Sequence, residues 1–175
     1  SMEAMQTALR EAGAQSLSDE TFDTLRVEQG YGVWGREWSR EYIPLETGLL
    51  DAICFSKGCY VGQEIIARME SRNRLAKQLR GLRLTMDAGP ERSRRDGRWT
   101  MDKQDSTQKL EVGGKEAGDL TSMVLSPRFG PIALAYVRTA HAAPGSMVGI
   151  AGTDAHGEVV ELPFAGKGTE ELGNE

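Results

Sequence analysis

Between Lys77 and Phe164 the helical spacing of the chain gives way to short runs in which apolar residues alternate with polar ones, and this alternation restricts the fold more than any other feature. The runs are Leu79, Leu82 and Leu84; Leu110 and Val112; Met123 and Leu125; Ile132, Leu134 and Tyr136; Met147, Val148 and Ile150; and Val159, Val160 and Leu162. Gly89-Pro90, Gly113-Gly114, Ser126-Pro127, Gly130-Pro131, Pro144-Gly145 and His156-Gly157 punctuate them, dipeptides whose φ preferences suit chain reversals. Short strands at this spacing predict a small antiparallel barrel or sandwich over residues 77–166, followed by a polar, frayed tail over 167–175.

Residues 1–76 are built differently. Ser1 and Met2 resemble a tag remnant followed by a start and carry no weight. A first helix is expected over Glu3 to Glu11, with Leu9 on its packed face and Gly13 near its end. A second begins at the cap Ser18, places Asp19 and Glu20 at the positive end of its dipole, draws packing from Phe22, Leu25 and Val27, and stops at Gly30. Tyr31 to Asp51, rich in Gly, Trp, Tyr and Pro, is predicted to be irregular, as long functional segments often are. A short strand over Ile53 to Phe55, a turn at Gly58 and a helix over Val61 to Glu70, buried through Ile65, Ile66 and Met69, would put Lys57 to Gly62 at a strand-to-helix junction. A cysteine there can have its thiolate favoured by the helix dipole. The segment lacks the strands to close its own sheet, which points either to a fragment or to a sheet completed by swapping in a homodimer.

The 175 residues carry a net charge of -5, which disfavours a nucleic-acid partner; Arg92, Arg94, Arg95 and Arg98 around Gly97 are expected to be a solvated hairpin tip. The longest apolar runs fall short of the roughly 18 residues of a membrane span, so a soluble, cytoplasmic protein is expected. Two cysteines, Cys54 and Cys59, make neither a disulfide framework nor a zinc site, and reduced thiols are expected.

Four segments resemble the glycine-cleavage T-protein (aminomethyltransferase) superfamily in order: L-R-V-E-Q-G from Leu25, I-P-L-E-T-G-L from Ile43, F-S-K-G-C-Y-V-G-Q-E-I-I-A-R from Phe55, and the stretch Ala117 to Val137. The first three are similar to the closing part of the superfamily's folate-binding body and the last to its C-terminal barrel. Within it, K-G-C-Y-V-G-Q-E from Lys57 to Glu64 resembles the signature of the YgfZ branch, whose eukaryotic members are mitochondrial iron-sulfur assembly factors. The resemblance implies an α+β chain: a partial folate-binding body over 1–76 followed by the barrel. The superfamily's N-terminal half, with much of the pterin pocket and the catalytic aspartate, has no counterpart in these residues. Weak or absent folate binding by this chain alone is therefore expected.

Glu46 is the candidate folate anchor. A pterin offers adjacent N–H donors, and one carboxylate can accept two of them in a fork; the resemblance implies this role. Cys59 is the candidate functional thiol, flanked by Gly58 and by Lys57, whose charge could lower its pKa. Its roles stay open between nucleophile, redox thiol and transient iron ligand, since one thiolate cannot hold a cluster that usually takes four. Cys54 is expected to be a small buried strand residue. Tyr60 and Gln63 either position Cys59 or, with Arg68, contact the cofactor; Glu64 and Arg68, one turn apart, can equally form a surface ion pair. Thr121, Ser122, Ser126 and Arg128 resemble the wall that closes over folate, Ser122 being the candidate ligand, although Ser126-Pro127 is also a turn signal. His141 and His156 are expected to be exposed loop residues, and no metal site is predicted.

The function implied is a tetrahydrofolate-binding accessory protein for assembly or repair of iron-sulfur enzymes, with client or assembly proteins as partners. The alternatives are a tetrahydrofolate-dependent aminomethyltransferase-like transferase and a non-catalytic interaction module.

Overall fold

The computed structural model describes residues 2–72, 75–85 and 108–166, so the arginine cluster around Gly97, the Gly89-Pro90 turn and the tail beyond Gly166 lie outside the described residues. The protein is α+β: a few helices followed by a closed antiparallel barrel. The described strands are β1 (Lys77–Leu84), β2 (Gln108–Val112), β3 (Lys115–Ser126), β4 (Gly130–Arg138), β5 (Met147–Ile150) and β6 (His156–Val160). Their order around the barrel is β1-β4-β3-β2-β5-β6, and β6 pairs with β1 to close it. Closure removes the free edges that an open sheet would expose to other chains.

Each alternating run predicted from the sequence falls on a strand, except that Leu162, the last residue of the final run, lies beyond the end of β6. Gly113-Gly114 turns β2 into β3, with both glycines at positive φ. His156-Gly157 is not a turn: it opens β6, and the reversal lies at residues 151–154, where the Thr153 amide donates to the Ile150 carbonyl over 3.1 Å. The interior is filled by Leu82, Leu110, Leu120, Met123, Val148, Ile150 and Val159 with the small residues Ala117, Ala133 and Ala135. A second apolar cluster sits on the outside, where Ile132, Leu134, Tyr136, Leu79 and Val124 meet Val27, Tyr42 and Phe164. At Gly118 the barrel leaves no space: a Cβ there would stand 2.1 Å from the Tyr136 carbonyl oxygen.

Helix α1 is Met2–Glu11, α2 is Asp19–Gln29 and α3 is Gln63–Arg72. The Ser18 hydroxyl accepts from the Thr21 amide over 3.1 Å, and Gly30, at φ +76, ends α2 in the left-handed conformation that a glycine adopts freely. Not all of the expected packing is found. α1 buries nothing, Leu9 included, and on α2 Phe22 and Leu25 face outward while Arg26, Val27 and Glu28 are buried. On α3 Ile66 and Met69 are half-buried. Ile53 to Phe55 is not a strand; the segment passes from a 3-10 turn at Leu50–Ala52 into an irregular loop that reaches α3 two residues later than expected. Three residues supply too little pairing to hold a strand where no neighbouring edge is offered.

Candidate functional site

The irregular segment is held against the outer face of the barrel by a buried carboxylate. Glu37 is 0% exposed, and its side chain accepts hydrogen bonds from the Val33 amide, the Arg26 guanidinium, and the hydroxyls of Thr121 and Ser122. Its backbone carbonyl accepts from the Tyr136 hydroxyl over 2.8 Å. Every nitrogen of Arg26 is engaged too: it meets Glu37 at 3.2 Å and Asp23 at 2.6 Å, and donates to the Tyr31 carbonyl over 3.2 Å and to Ser122 Oγ over 2.8 Å. A buried ion pair survives only when its remaining donors and acceptors are satisfied in this way. Burial pushes the Asp23 carboxyl up, but Arg26 and Arg36 beside it outweigh that, and its pKa lies below the usual carboxylate value.

Two residues along α2, Glu28 accepts from the Ser126 hydroxyl over 2.6 Å, while Ser126 Oγ accepts the Arg128 and Phe129 amides at 3.0 Å. The segment L-R-V-E-Q-G thus has a local mechanical meaning: its arginine and glutamate bolt α2 to β3 and to the β3–β4 turn. Neither residue was singled out by sequence reasoning, and Glu37 was missed as well. The available signal was a carboxylate set between Trp34 and Trp38 in an aromatic-rich run, where a charge is costly unless paired.

Tyr42 stacks on Tyr136 with ring centroids 3.6 Å apart and planes 9° apart, and Lys77 covers Tyr42 at 4.3 Å. This stack leads into the 3-10 turn Pro44–Thr47, which carries Glu46. Glu46 is 5% exposed and lines a cleft of about 440 Å3 bounded by Gln29, Tyr31, Gln78, Arg80 and Leu162. One carboxylate oxygen, Oε2, accepts the Ile43 amide over 3.3 Å. The other has no hydrogen-bond partner among the described residues. A nearly buried carboxylate with one free oxygen beside a cleft can accept from an N–H-bearing ligand without first losing a protein bond.

The structure separates the other candidates from this cleft. Ser122 is 1% exposed and its hydroxyl is engaged by Arg26 and Glu37, so it belongs to the buried network. Thr121 joins it there, and Ser126 and Arg128 gather around Glu28. Cys59, Lys57, Tyr60 and Arg68 are exposed on the loop and on α3. Lys57 lies over the Tyr60 ring at 4.2 Å, and the Tyr60 amide donates to Gln63 Oε1 over 3.2 Å, so Gln63 fixes the backbone next to Cys59. Cys54 is exposed, not buried: without a strand over Ile53 to Phe55 no sheet covers it. His141 is half-buried at the end of β4 rather than exposed, and His156 is exposed at the start of β6.

Among the described residues no helix is long and apolar enough to cross a membrane. A solved aminomethyltransferase of the glycine cleavage system from Bartonella henselae superposes with a TM-score of 0.62 at 22% identity, over 81% of this chain and 37% of that one, which speaks to fold alone. An aminomethyltransferase of Streptomyces avermitilis is 36% identical over 171 residues, 93% of this chain and 43% of that protein. A chloroplastic protein of Arabidopsis thaliana named as a transferase is 32% identical over 153 residues, 87% of this chain and 32% of that protein. The chain therefore spans well under half the length of these relatives. The model of the glycine cleavage T-protein C-terminal barrel domain matches residues 77–165, the whole barrel that Glu37 and Glu28 brace from outside, and the chain belongs to that family.

Proposed function

We propose that this chain is the C-terminal part of a tetrahydrofolate-binding protein of the YgfZ branch, supporting the assembly or repair of iron-sulfur enzymes through Cys59. Glu46 carries the folate reading. Its carboxylate oxygen without a partner among the described residues, its low exposure and its place on a cleft suit the N–H edge of a pterin, and the residues around it, Gln29, Gln78 and Arg80, supply further polar groups. In this reading residues 1–76 are the closing part of the folate body and residues 77–166 are the barrel on which it leans. Tetrahydrofolate, when bound, supplies a nucleophilic nitrogen that can carry a one-carbon group; the protein's part is to orient the ring and exclude water. Cys59 lies outside the cleft lining, on a loop whose motif residues Lys57, Tyr60 and Gln63 hold one another. Its exposure and its position outside the cleft lining support a macromolecular client, rather than the pterin ring, as what it meets.

The test uses the full-length protein. Hydrogen bonds to a charged group are worth about 1.5–3 kcal/mol each, so Glu46→Gln should weaken tetrahydrofolate binding by roughly ten- to a hundredfold in calorimetry; unchanged affinity removes Glu46 from the site. In a deletion strain, the wild type should restore iron-sulfur enzyme activity and Cys59→Ser should not. A second reading, an aminomethyltransferase, is favoured by what several relatives are named. Production of methylene-tetrahydrofolate from an aminomethylated lipoyl carrier would select it over the first.

A further inference from the structure

Two free thiols share one surface loop, and only one belongs to the K-G-C-Y-V-G-Q-E motif. Cys54 and Cys59 are both exposed. Between them the chain turns at Phe55 and Ser56 and bends at Lys57, and a Cβ at Gly58 would meet nothing within 4 Å. The contacts of this loop are local: Cys54 Sγ lies 3.6 Å from Ser56 Oγ, Lys57 covers Tyr60, and Tyr60 is fixed by Gln63 at the start of α3. A disulfide needs Cα atoms about 4.4–6.8 Å apart. Five extended peptide units would span roughly 17 Å, so closure requires a reversal, which the turn already begins and the open space at Gly58 permits. Ring closure over so few residues costs little chain entropy.

We propose that Cys54 and Cys59 form a reversible intramolecular disulfide by exchange with a low-molecular-weight disulfide. Cys54 attacks first: its thiolate adds to one sulfur of the small disulfide, the S–S bond breaks, and one small thiolate leaves. Cys59, deprotonated, then attacks the Cys54 sulfur of the mixed disulfide, expelling the second small thiolate. The small disulfide gains two electrons and is reduced to two thiols, which take up the two protons lost by the cysteines. The Ser56 hydroxyl against Cys54, joined by the Ser56 and Lys57 backbone and the Lys57 charge, holds its thiol below the ordinary pKa, which suits the attacking role. The pairing itself does not depend on the folate reading. That it would withdraw Cys59 from a client does rest on the function proposed above.

The experiment uses the reduced 175-residue chain, treated with excess oxidised glutathione and digested with trypsin without reductant. Cleavage after Lys57 puts the cysteines on separate peptides, 41–57 and 58–68. The expected result is one linked pair of these peptides, released by reductant, with loss of both thiols and no stable glutathione adduct. Cys59→Ser should instead accumulate an adduct on Cys54, and Cys54→Ser should form its adduct on Cys59 more slowly. Two free thiols, two persistent adducts or a disulfide between chains would overturn the pairing, and a faster adduct on Cys59 would overturn the order of attack. None of these outcomes bears on Glu46 and folate, so the two proposals fail separately.

Discussion

The barrel and the segment that leans on it are stabilised by opposite means. Inside the barrel, aliphatic side chains fill a closed wall, and no charged group is needed. Outside, the irregular segment is fixed by ions: Glu37, Arg26 and Glu28, each tied to a hydroxyl of β3, and Asp23, which pairs with Arg26 and Arg36. Apolar packing tolerates substitution when volume is kept, whereas a buried charge network depends on every member. The barrel is therefore the forgiving half of the molecule and its outer brace the exacting half.

Glu37→Ala should break this contrast most visibly. Removing one partner of a buried pair costs about 3–5 kcal/mol, and here it leaves Arg26 held by Asp23, Ser122 and the Tyr31 carbonyl, without the carboxylate buried beside it. Urea unfolding followed by tryptophan fluorescence and by far-ultraviolet dichroism should show the emission of Trp34 and Trp38 changing at lower denaturant than the barrel signal. Coincident transitions would show instead that brace and barrel form one cooperative unit. Alkaline pH gives a smaller, graded test. Burial raises the Tyr42 phenol, with Asp119, Glu41 and other carboxylates adding to it, and burial likewise raises Tyr136. A folded pKa above the unfolded value of about 10 contributes stability that is complete below that pH and is lost as pH climbs through the folded value. Melting temperature should hold steady to about pH 10 and then fall, and Tyr136→Phe, which cannot ionise, should flatten the decline; an identical decline in the variant would dismiss the stack as its source. Smallest of all, Ser18→Ala removes the cap of α2 and should cost about 1 kcal/mol by chemical denaturation; a loss several times larger would mean that α2 nucleates the brace.

The barrel was legible because its signal is periodic: alternation at Ile132, Leu134 and Tyr136 needs only neighbours along one strand. The cap at Ser18 and the stop at Gly30 were legible because their chemistry is local. The engagement of Ser122 in the buried network and the role of Glu37 were out of reach for the same physical reason. Their partners lie on other elements, Ser122 and Glu37 being 85 positions apart, and no spacing rule reaches that far. Cys54 shows the converse error: an apolar neighbourhood in sequence suggested a strand, but among the described residues no strand pairs with it. Glu46 stands between these cases. The residues around it marked an irregular turn, while its low exposure and the one oxygen without a partner among the described residues depend on how the turn settles against β1.

β4 joins the two halves. Every residue from Pro131 to Val137 is buried. Ala133, Ala135 and Val137 point into the barrel, while Ile132, Leu134 and Tyr136 point into the outer cluster. Such a strand is a built-in pair of spectroscopic windows. With methyl labels on Ala133 and Ala135 for one compartment and on Ile132 and Leu134 for the other, a single nine-residue stretch reports which compartment responds when folate, a client protein or an oxidant arrives.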